Sequence, residues 1–448
     1  MLKPKISIIG AGSSNFSLEL VRDICLTPNL SGSTISFMDI NEERLSQVYS
    51  LCRKYADEMG MDLKLEKTLQ RRESLKDADF VINLALVVGH LGYTKVWKIA
   101  RKYGYKFGGS YHVMHDEGFW INYYQLELFE GIVKDILDIC PKALLVELAN
   151  PVLAATTFLC RKYPKLKYVG LCEGPRAIYT MAEAFGLDPD RISYQMPGVN
   201  HFVWLTDFRH DGENAYPALD NWVKKKAKSY QKTHPPSDIL GPVAIDLYRK
   251  EGVFPIGDTC TPGGGSWPWW YHTDGMVEKA WGEDPNDWWD RYLGRLSESG
   301  SSYSKLLRIP GKLTEALPPV KSRQPTVPMI EAIACDIPRV IQVNVLNSGN
   351  FLDGVPSDFE VEISGLASGR GIEGVKMKSM PKSLVEYILR DRVAPVETEL
   401  DAYETGSRQK LEELVMMDPW TKSERQASDL LDDVLALPEY SKMKKHYA

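Results

Sequence analysis

Residues 5–39 read KISIIGAGSSNFSLELVRDICLTPNLSGSTISFMD, and this stretch decides the fold. The apolar run KISIIG predicts a strand over Lys5–Gly10. Leu18, Val21, Ile24 and Cys25 then recur at helical spacing within Phe16–Leu30, and Thr34–Asp39 predicts a second strand that ends on a carboxylate. The first strand meets the helix at Gly10-Ala11-Gly12-Ser13-Ser14-Asn15. Two glycines there let the backbone turn tightly and come close to a pyrophosphate at the helix N-terminus. Asn15 stands where a full dinucleotide fingerprint has its third glycine. The turn alone also fits a plain glycine bend beside a solvated acid. Its place between strand and helix, with Asp39 ending the next strand, points instead to a dinucleotide site built from Gly10, Gly12, Ser13, Asn15 and Asp39. The Asp39 carboxylate can accept from the ribose hydroxyls, which favours NAD over NADP.

Outward from this unit the chain keeps alternating. Arg44–Gly60 carries Leu45, Val48, Leu51, Cys52 and Tyr55 on one helical stripe. Asp79–Val87 and Ala143–Leu148 are near-continuous apolar runs, as strands buried on both faces should be. Tyr123–Cys140 predicts a long helix between them, and Lys167–Leu171 another strand. The expected fold class is therefore α/β, with an N-terminal Rossmann-like doubly wound sheet over residues 1–190. Beyond it the rhythm changes. Val199–Arg209, Arg339–Leu346 and Asp358–Ile363 predict strands, and Lys382–Leu414 and Ser423–Leu435 predict helices. These give residues 191–448 as a C-terminal α+β domain containing an antiparallel sheet. Six tryptophans (Trp267, Trp269, Trp270, Trp281, Trp288 and Trp289) fall in residues 254–290. Packing beneath a long loop is expected of them ahead of sugar stacking.

A length of 448 residues suits two domains. The net charge of -6 gives no basic footprint for a nucleic acid partner. An apolar content of 44% excludes general disorder. No run approaches the roughly 18 apolar residues of a membrane span, so no membrane partner is expected. The first strand begins almost at once, leaving no room for a signal peptide. Seven cysteines are sparse and odd in number, as reduced thiols in a cytoplasm would be. Cys25, Cys52, Cys140 and Cys160 lie on helical stretches and read as packing residues.

Several polar residues fall where strands end: Asn83, Asn150-Pro151, Cys172-Glu173-Gly174-Pro175, Asn200-His201 and Gly257-Asp258-Thr259. In an open α/β sheet the carboxyl ends of the strands line the ligand crevice. Each residue alone also fits a cap or a turn, and a lone cysteine is usually an inert small hydrophobe. Cys172 and His201 are too far apart in sequence to form a local metal motif.

Taken together, these stretches resemble the NAD- and Mn-dependent glycosidases of glycoside hydrolase family 4. The matching motifs are IIGAGSSNFSLELVRD, FMDINEERL, ADFVINLAL, ELANP, GLCEGP, GVNHFVWL and FPIGDT. QVNVLNSGNFLDGVPSDFEVE and DPWTKSERQASDLLDDVLALP follow toward the C-terminus. They spread over nearly the whole chain. Malate and lactate dehydrogenases share the N-terminal fold but lack the Cys, His and GDT constellation.

The resemblance implies an α-glycosidase of the branch that acts on glucosides and uronides, outside the usual two-carboxylate mechanism. In that chemistry NAD takes a hydride from C3 of the sugar, a base removes the acidified C2 proton, and the aglycone leaves C1. Water then adds and the hydride returns, so NAD is not consumed. Cys172 and His201 match the metal ligands. Thiolate and imidazole would by themselves suggest zinc, so Mn2+ rests on the resemblance. Asn150 matches a contact to the sugar hydroxyls, Asn200 adjoins His201 as a second substrate contact, and Asn83 belongs with the cofactor residues.

Asp258 matches the C2 base, although an Asx-turn is its other reading, and a base at Tyr271 is an alternative. Glu173 stands where members carry Asp or His. It reads as the general acid, or else as a substrate hydrogen-bonding or solvated carboxylate. Val87–Lys95 lacks the arginine of the phosphosugar branch, so the expected substrate is an unphosphorylated α-glucoside or a related oligosaccharide. Arg176 fits either a uronate partner or a solvated helix charge. His112, His115 and Asp116 fit sugar contacts or surface roles. The resemblance further implies a homodimer or homotetramer. An α-glucuronidase or α-galacturonidase is the alternative within the mechanism; an ordinary NAD-dependent dehydrogenase or an NAD-binding sensor is the alternative outside it.

Overall fold

The computed structural model describes the chain except residues 1–2, 88, 107–112, 114–117, 173, 237, 261–267, 283–289, 292–293 and 295–305. Glu173, His112, His115, Asp116, Trp267, Trp288 and Trp289 therefore lie outside the described residues, as does the side chain of Asn15.

Among the described residues of the N-terminal half there are six strands: β1 (Lys5–Ile9), β2 (Thr34–Met38), β3 (Lys64–Thr68), β4 (Phe80–Asn83), β5 (Leu144–Glu147) and β6 (Lys167–Gly170). They lie in the order β3-β2-β1-β4-β5-β6 and pair in parallel throughout. This is the doubly wound dinucleotide-binding order, as expected. Ile6, Ile8, Val81, Ile82, Leu145 and Val146 are fully buried, since helices cover both faces of a parallel sheet. The helix Glu42–Met59 buries the anticipated stripe, and the Asn41 side chain caps it by accepting from the Arg44 N–H.

Among the described residues nine strands follow: β7 (Ile192–Gln195), β8 (Gly198–Val199), β9 (Phe202–Leu205), β10 (Asp207–His210), β11 (Glu213–Asn214), β12 (Phe254–Ile256), β13 (Arg339–Leu346), β14 (Glu360–Ser368) and β15 (Gly371–Gly374). β13 joins the free edge of β6 antiparallel through Asn344 and Gly170, and β14, β8, β9 and β12 continue outward from it. The antiparallel part of the second half thus extends the parallel part of the first in one twelve-stranded sheet. β7, β10 and β11 form a separate small sheet, so the strand anticipated over Val199–Arg209 is divided between two sheets.

Other boundaries also differ from the sequence reading. β3 was not anticipated: KLEKT buries only Leu65 and carries no alternating apolar signal. β4 stops at Asn83, where its side chain turns into a polar network described below. The anticipated helix Lys382–Leu414 is three helices and a π-turn: Lys382–Ile388, Leu389–Val393, Ala394–Thr405 and Arg408–Met416. Cys25, Cys52 and Cys140 are buried free thiols. Burial pushes the Cys25 thiol up to about 12 and Cys140 up to about 11, which keeps both inert. No helix of the described residues is long and apolar enough to cross a membrane.

Candidate active site

The glycine turn is wedged between the ends of β2 and β4. The Gly12 N–H donates to Asp39 Oδ2 at 2.8 Å, and the Asn41 N–H donates to Oδ1 at 2.8 Å. A Cβ on Gly12 would lie 2.7 Å from Asp39 Oδ2, and one on Gly10 would lie 2.7 Å from the Ala85 backbone. Both glycines are therefore needed for the close approach. The helix Ser14–Cys25 opens here, and its N-cap Ser13 makes no side-chain capping bond. Its first N–H groups suit an anion. The Asp39 carboxylate braces the loop and keeps lone pairs for further donors. The cradle fits a dinucleotide.

Asn83 is fully buried. Its Nδ2 donates to Glu147 Oε1 and Oε2 at 2.9 and 3.0 Å, and its Oδ1 accepts the Ala85 N–H at 3.2 Å. It shapes the loop after β4 and is directed inward. Glu147 was missed in the sequence reading. It also accepts the Ala149 N–H at 2.9 Å, ahead of Asn150 and the cis Asn150–Pro151 peptide. Burial pushes its carboxyl up to about 8. The available signal was a charged residue inside an otherwise apolar strand.

A cavity of about 250 Å³ opens beside this edge, and Cys172, Arg176, His201, Asp258 and Glu362 are among its walls. Three anticipated residues thus meet, although they come from the end of β6, the turn between β8 and β9, and the turn after β12. His201 is 5% exposed and sits in the left-handed region at φ 58°, uncommon for a non-glycine residue. Its Nε2 lies 3.8 Å from Asp258 Oδ2. Burial holds the imidazole below its usual range against the pull of Asp258, which favours the neutral, metal-binding form. The Asp258 side chain is 47% exposed. Its turn is fixed by Thr259, whose Oγ1 accepts the Val203 N–H at 2.9 Å.

Other anticipated residues are placed differently. Asn200 is fully buried, and its Nδ2 reaches Glu362 Oε2 at 3.3 Å. Tyr271 is also buried. Its hydroxyl donates to Asp246 at 2.6 Å, and burial beside that carboxylate pushes the phenol far above its usual range. Such a phenol is not poised as a base. Trp270 and Trp281 pack against Tyr271, in line with the packing role expected of these rings.

Among the described residues, no group of three or more His, Cys, Asp or Glu side chains stands ready to hold a metal. Cys172 and His201 on one cavity wall offer two donors and leave the remaining positions to oxygens from outside the chain. That donor set fits a metal whose coordination is completed by substrate and water.

The model of the family 4 glycosyl hydrolases matches residues 5–186, and that of their C-terminal domain matches residues 196–421. The chain is 25% identical to an alpha-galactosidase of Bacillus subtilis (strain 168), over 97% of this chain and 99% of that one. It is 24% identical to an alpha-glucosidase of Erwinia rhapontici, over 96% and 97%. A crystal structure of a 6-phospho-alpha-glucosidase from gut microorganisms, in complex with NAD and Mn2+, superposes with a TM-score of 0.79 at 17% identity, over 97% of this chain and 98% of that one. With both family models matched in order along a fold of this topology, the chain belongs to family 4 of the glycosyl hydrolases.

Proposed function

We propose that the protein hydrolyses an unphosphorylated α-glucoside or a related α-linked oligosaccharide, with NAD and a divalent metal, Mn2+, as cofactors. The observation that carries this reading is the convergence of Cys172, His201 and Asp258 on one cavity at the strand ends. The names of the two relatives matched over nearly the whole chain, an alpha-galactosidase and an alpha-glucosidase, support an unphosphorylated α-linked sugar.

When bound, NAD supplies a hydride acceptor at C3 and the metal a Lewis acid at the sugar oxygens. The chain's own residues do the rest. Gly10, Gly12, Ser13 and Asn15 with Asp39 seat the dinucleotide, and Asn83 shapes the adjoining loop. Cys172 and His201 hold the metal. Asp258, half exposed beside His201, takes the C2 proton, and Glu173 donates a proton to the leaving oxygen. Asn150 contacts the sugar hydroxyls. In this reading the enzyme is cytoplasmic and a homodimer or homotetramer. Residues 1–190 present NAD and residues 191–448 close over the sugar.

One observation favours a second reading. Arg176 is the one Lys or Arg among the described cavity-lining residues, and it is exposed with no ion-pair partner among them. A guanidinium so placed suits a uronate carboxylate. A panel of nitrophenyl glycosides with NAD, Mn2+ and thiol separates the two readings. Turnover of α-glucosides supports the first, and turnover confined to uronides the second. No turnover on any sugar overturns both.

A further inference from the structure

The strand registers set a row of residues straight across the large sheet. Asn83 stands opposite Glu147, Glu147 opposite Gly170, Gly170 opposite Asn344, and Asn344 opposite Glu362. Residues in direct register share a face, so the row runs along one face from the loop under the glycine turn to the cavity. Asn83 and Glu147 close its first end. At the other end Glu362 is joined by Glu360, two residues earlier on β14 and therefore on the same face.

These two carboxyl groups hold one residue between them. Glu360 Oε2 accepts the Asn200 backbone N–H at 3.2 Å, and Glu362 Oε2 accepts the Asn200 side-chain Nδ2 at 3.3 Å. Glu360 is fully buried and Glu362 is 1% exposed. Of the neighbouring amides, Gln342 Nε2 donates to the Met196 carbonyl at 2.7 Å and also steadies the Glu362 carboxylate, and Asn344 Nδ2 donates to the Gly170 carbonyl at 3.3 Å. One oxygen each of Asn200, Gln342, Asn344, Glu360 and Glu362 is buried with no hydrogen-bond partner among the described residues. Such an acceptor-rich cluster is costly to bury and calls for a compensating role. Glu362 itself lines the cavity, and both carboxyl groups hold Asn200, the residue before His201 with its left-handed backbone.

We propose that Glu360 and Glu362 are positioning residues for the metal site. They grip Asn200 by its backbone and its side chain, and so fix the left-handed turn that directs His201 into the cavity. This rests on the reading of Cys172 and His201 as metal ligands. It assigns Asn200 a role behind the site.

The test is Mn2+ binding by the full-length protein, followed by the loss of the free-ion electron paramagnetic resonance signal, with NAD affinity measured by calorimetry alongside. Glu362→Ala and Asn200→Ala should each weaken Mn2+ binding by about 10- to 100-fold, the usual effect of removing a partner that orients a ligand, while NAD affinity is unchanged. The double variant should be little worse than either single one, because both act through one contact. Glu362→Gln should restore most of the affinity, since its amide keeps the shape and an oxygen that accepts from Asn200 Nδ2. If Glu362→Ala does not fold, Asn200→Ala and Glu362→Gln carry the comparison. Mn2+ bound by the parent and undiminished in Asn200→Ala and Glu362→Ala overturns the positioning role alone. A parent that binds no Mn2+ overturns the metal reading beneath it, and the inference with it.

Discussion

Asp258 and Tyr271 lie in the same region of the chain and in opposite chemical situations. The carboxylate is half exposed on the cavity wall beside His201, whereas the phenol is buried and committed to Asp246. Asp258→Asn should therefore lower kcat by about 100-fold or more, the scale of losing a general base, with a smaller change in KM. Tyr271→Phe should leave kcat nearly intact; steady-state kinetics on a nitrophenyl α-glucoside checks both. At the cofactor turn, Gly12→Ala would drive a methyl group against Asp39 Oδ2, at 2.7 Å from the position of its Cβ. NAD affinity measured by calorimetry should fall by about 10-fold, equivalent to about 1.4 kcal/mol. Residue by residue the sequence was uneven. Gly10, Gly12 and Asp39 could be placed from spacing, because their chemistry is local. Cys172, His201 and Asp258 stood out as polar residues at strand ends, but their shared role rested on the family resemblance, since three separate turns bring them together. The Tyr271 partnership with Asp246 crosses from one element to another and leaves no local signal.

The elements followed the apolar pattern where burial is two-sided, as in β1, β2 and β5. They departed from it where an element is polar or interrupted. β3 hides its single buried leucine among lysines and a glutamate, and the helix Gly89–Lys102 went unread because glycine, histidine and lysine break its stripe. The ends of β4 and β5 carry a consequence for stability. Glu147 has a folded-state pKa raised by burial to about 8 from an ordinary 4.5. Its folded form therefore binds the proton more tightly than the unfolded chain does. The stability this contributes is complete below about pH 4.5 and is lost as the pH rises through 8. Tm should accordingly fall between pH 6 and pH 9 in scanning calorimetry. Glu147→Gln should remove part of that fall, since an amide of the same shape does not titrate there.

At the scale of the whole molecule, the anticipated parallel and antiparallel parts are both present, but the seam between them was not legible. β13 pairs with β6 across a long sequence separation, and no periodicity encodes which edge a distant strand will join. The helix Val152–Lys162 packs on β13 and β14 as well as on β6, so the proposed division at residue 190 is a division of labour within a shared sheet. Residues 1–190 expressed alone would carry an open β6 edge and an uncovered helix face. They should be insoluble or lack a cooperative unfolding transition, which expression followed by calorimetry checks. The same continuity sets the glycine turn and the proposed metal ligands Cys172 and His201 at the same ends of the strands, as a reaction begun by hydride removal at C3 and completed at C1 requires. The most direct test of that account is hydrolysis of the α-glycoside substrate in D2O with NAD, Mn2+ and thiol, with the product sugar examined by NMR and absorbance followed at 340 nm. The expected result is deuterium at C2 of the product with no net accumulation of NADH. Hydrolysis that leaves the original hydrogen at C2 would contradict the account.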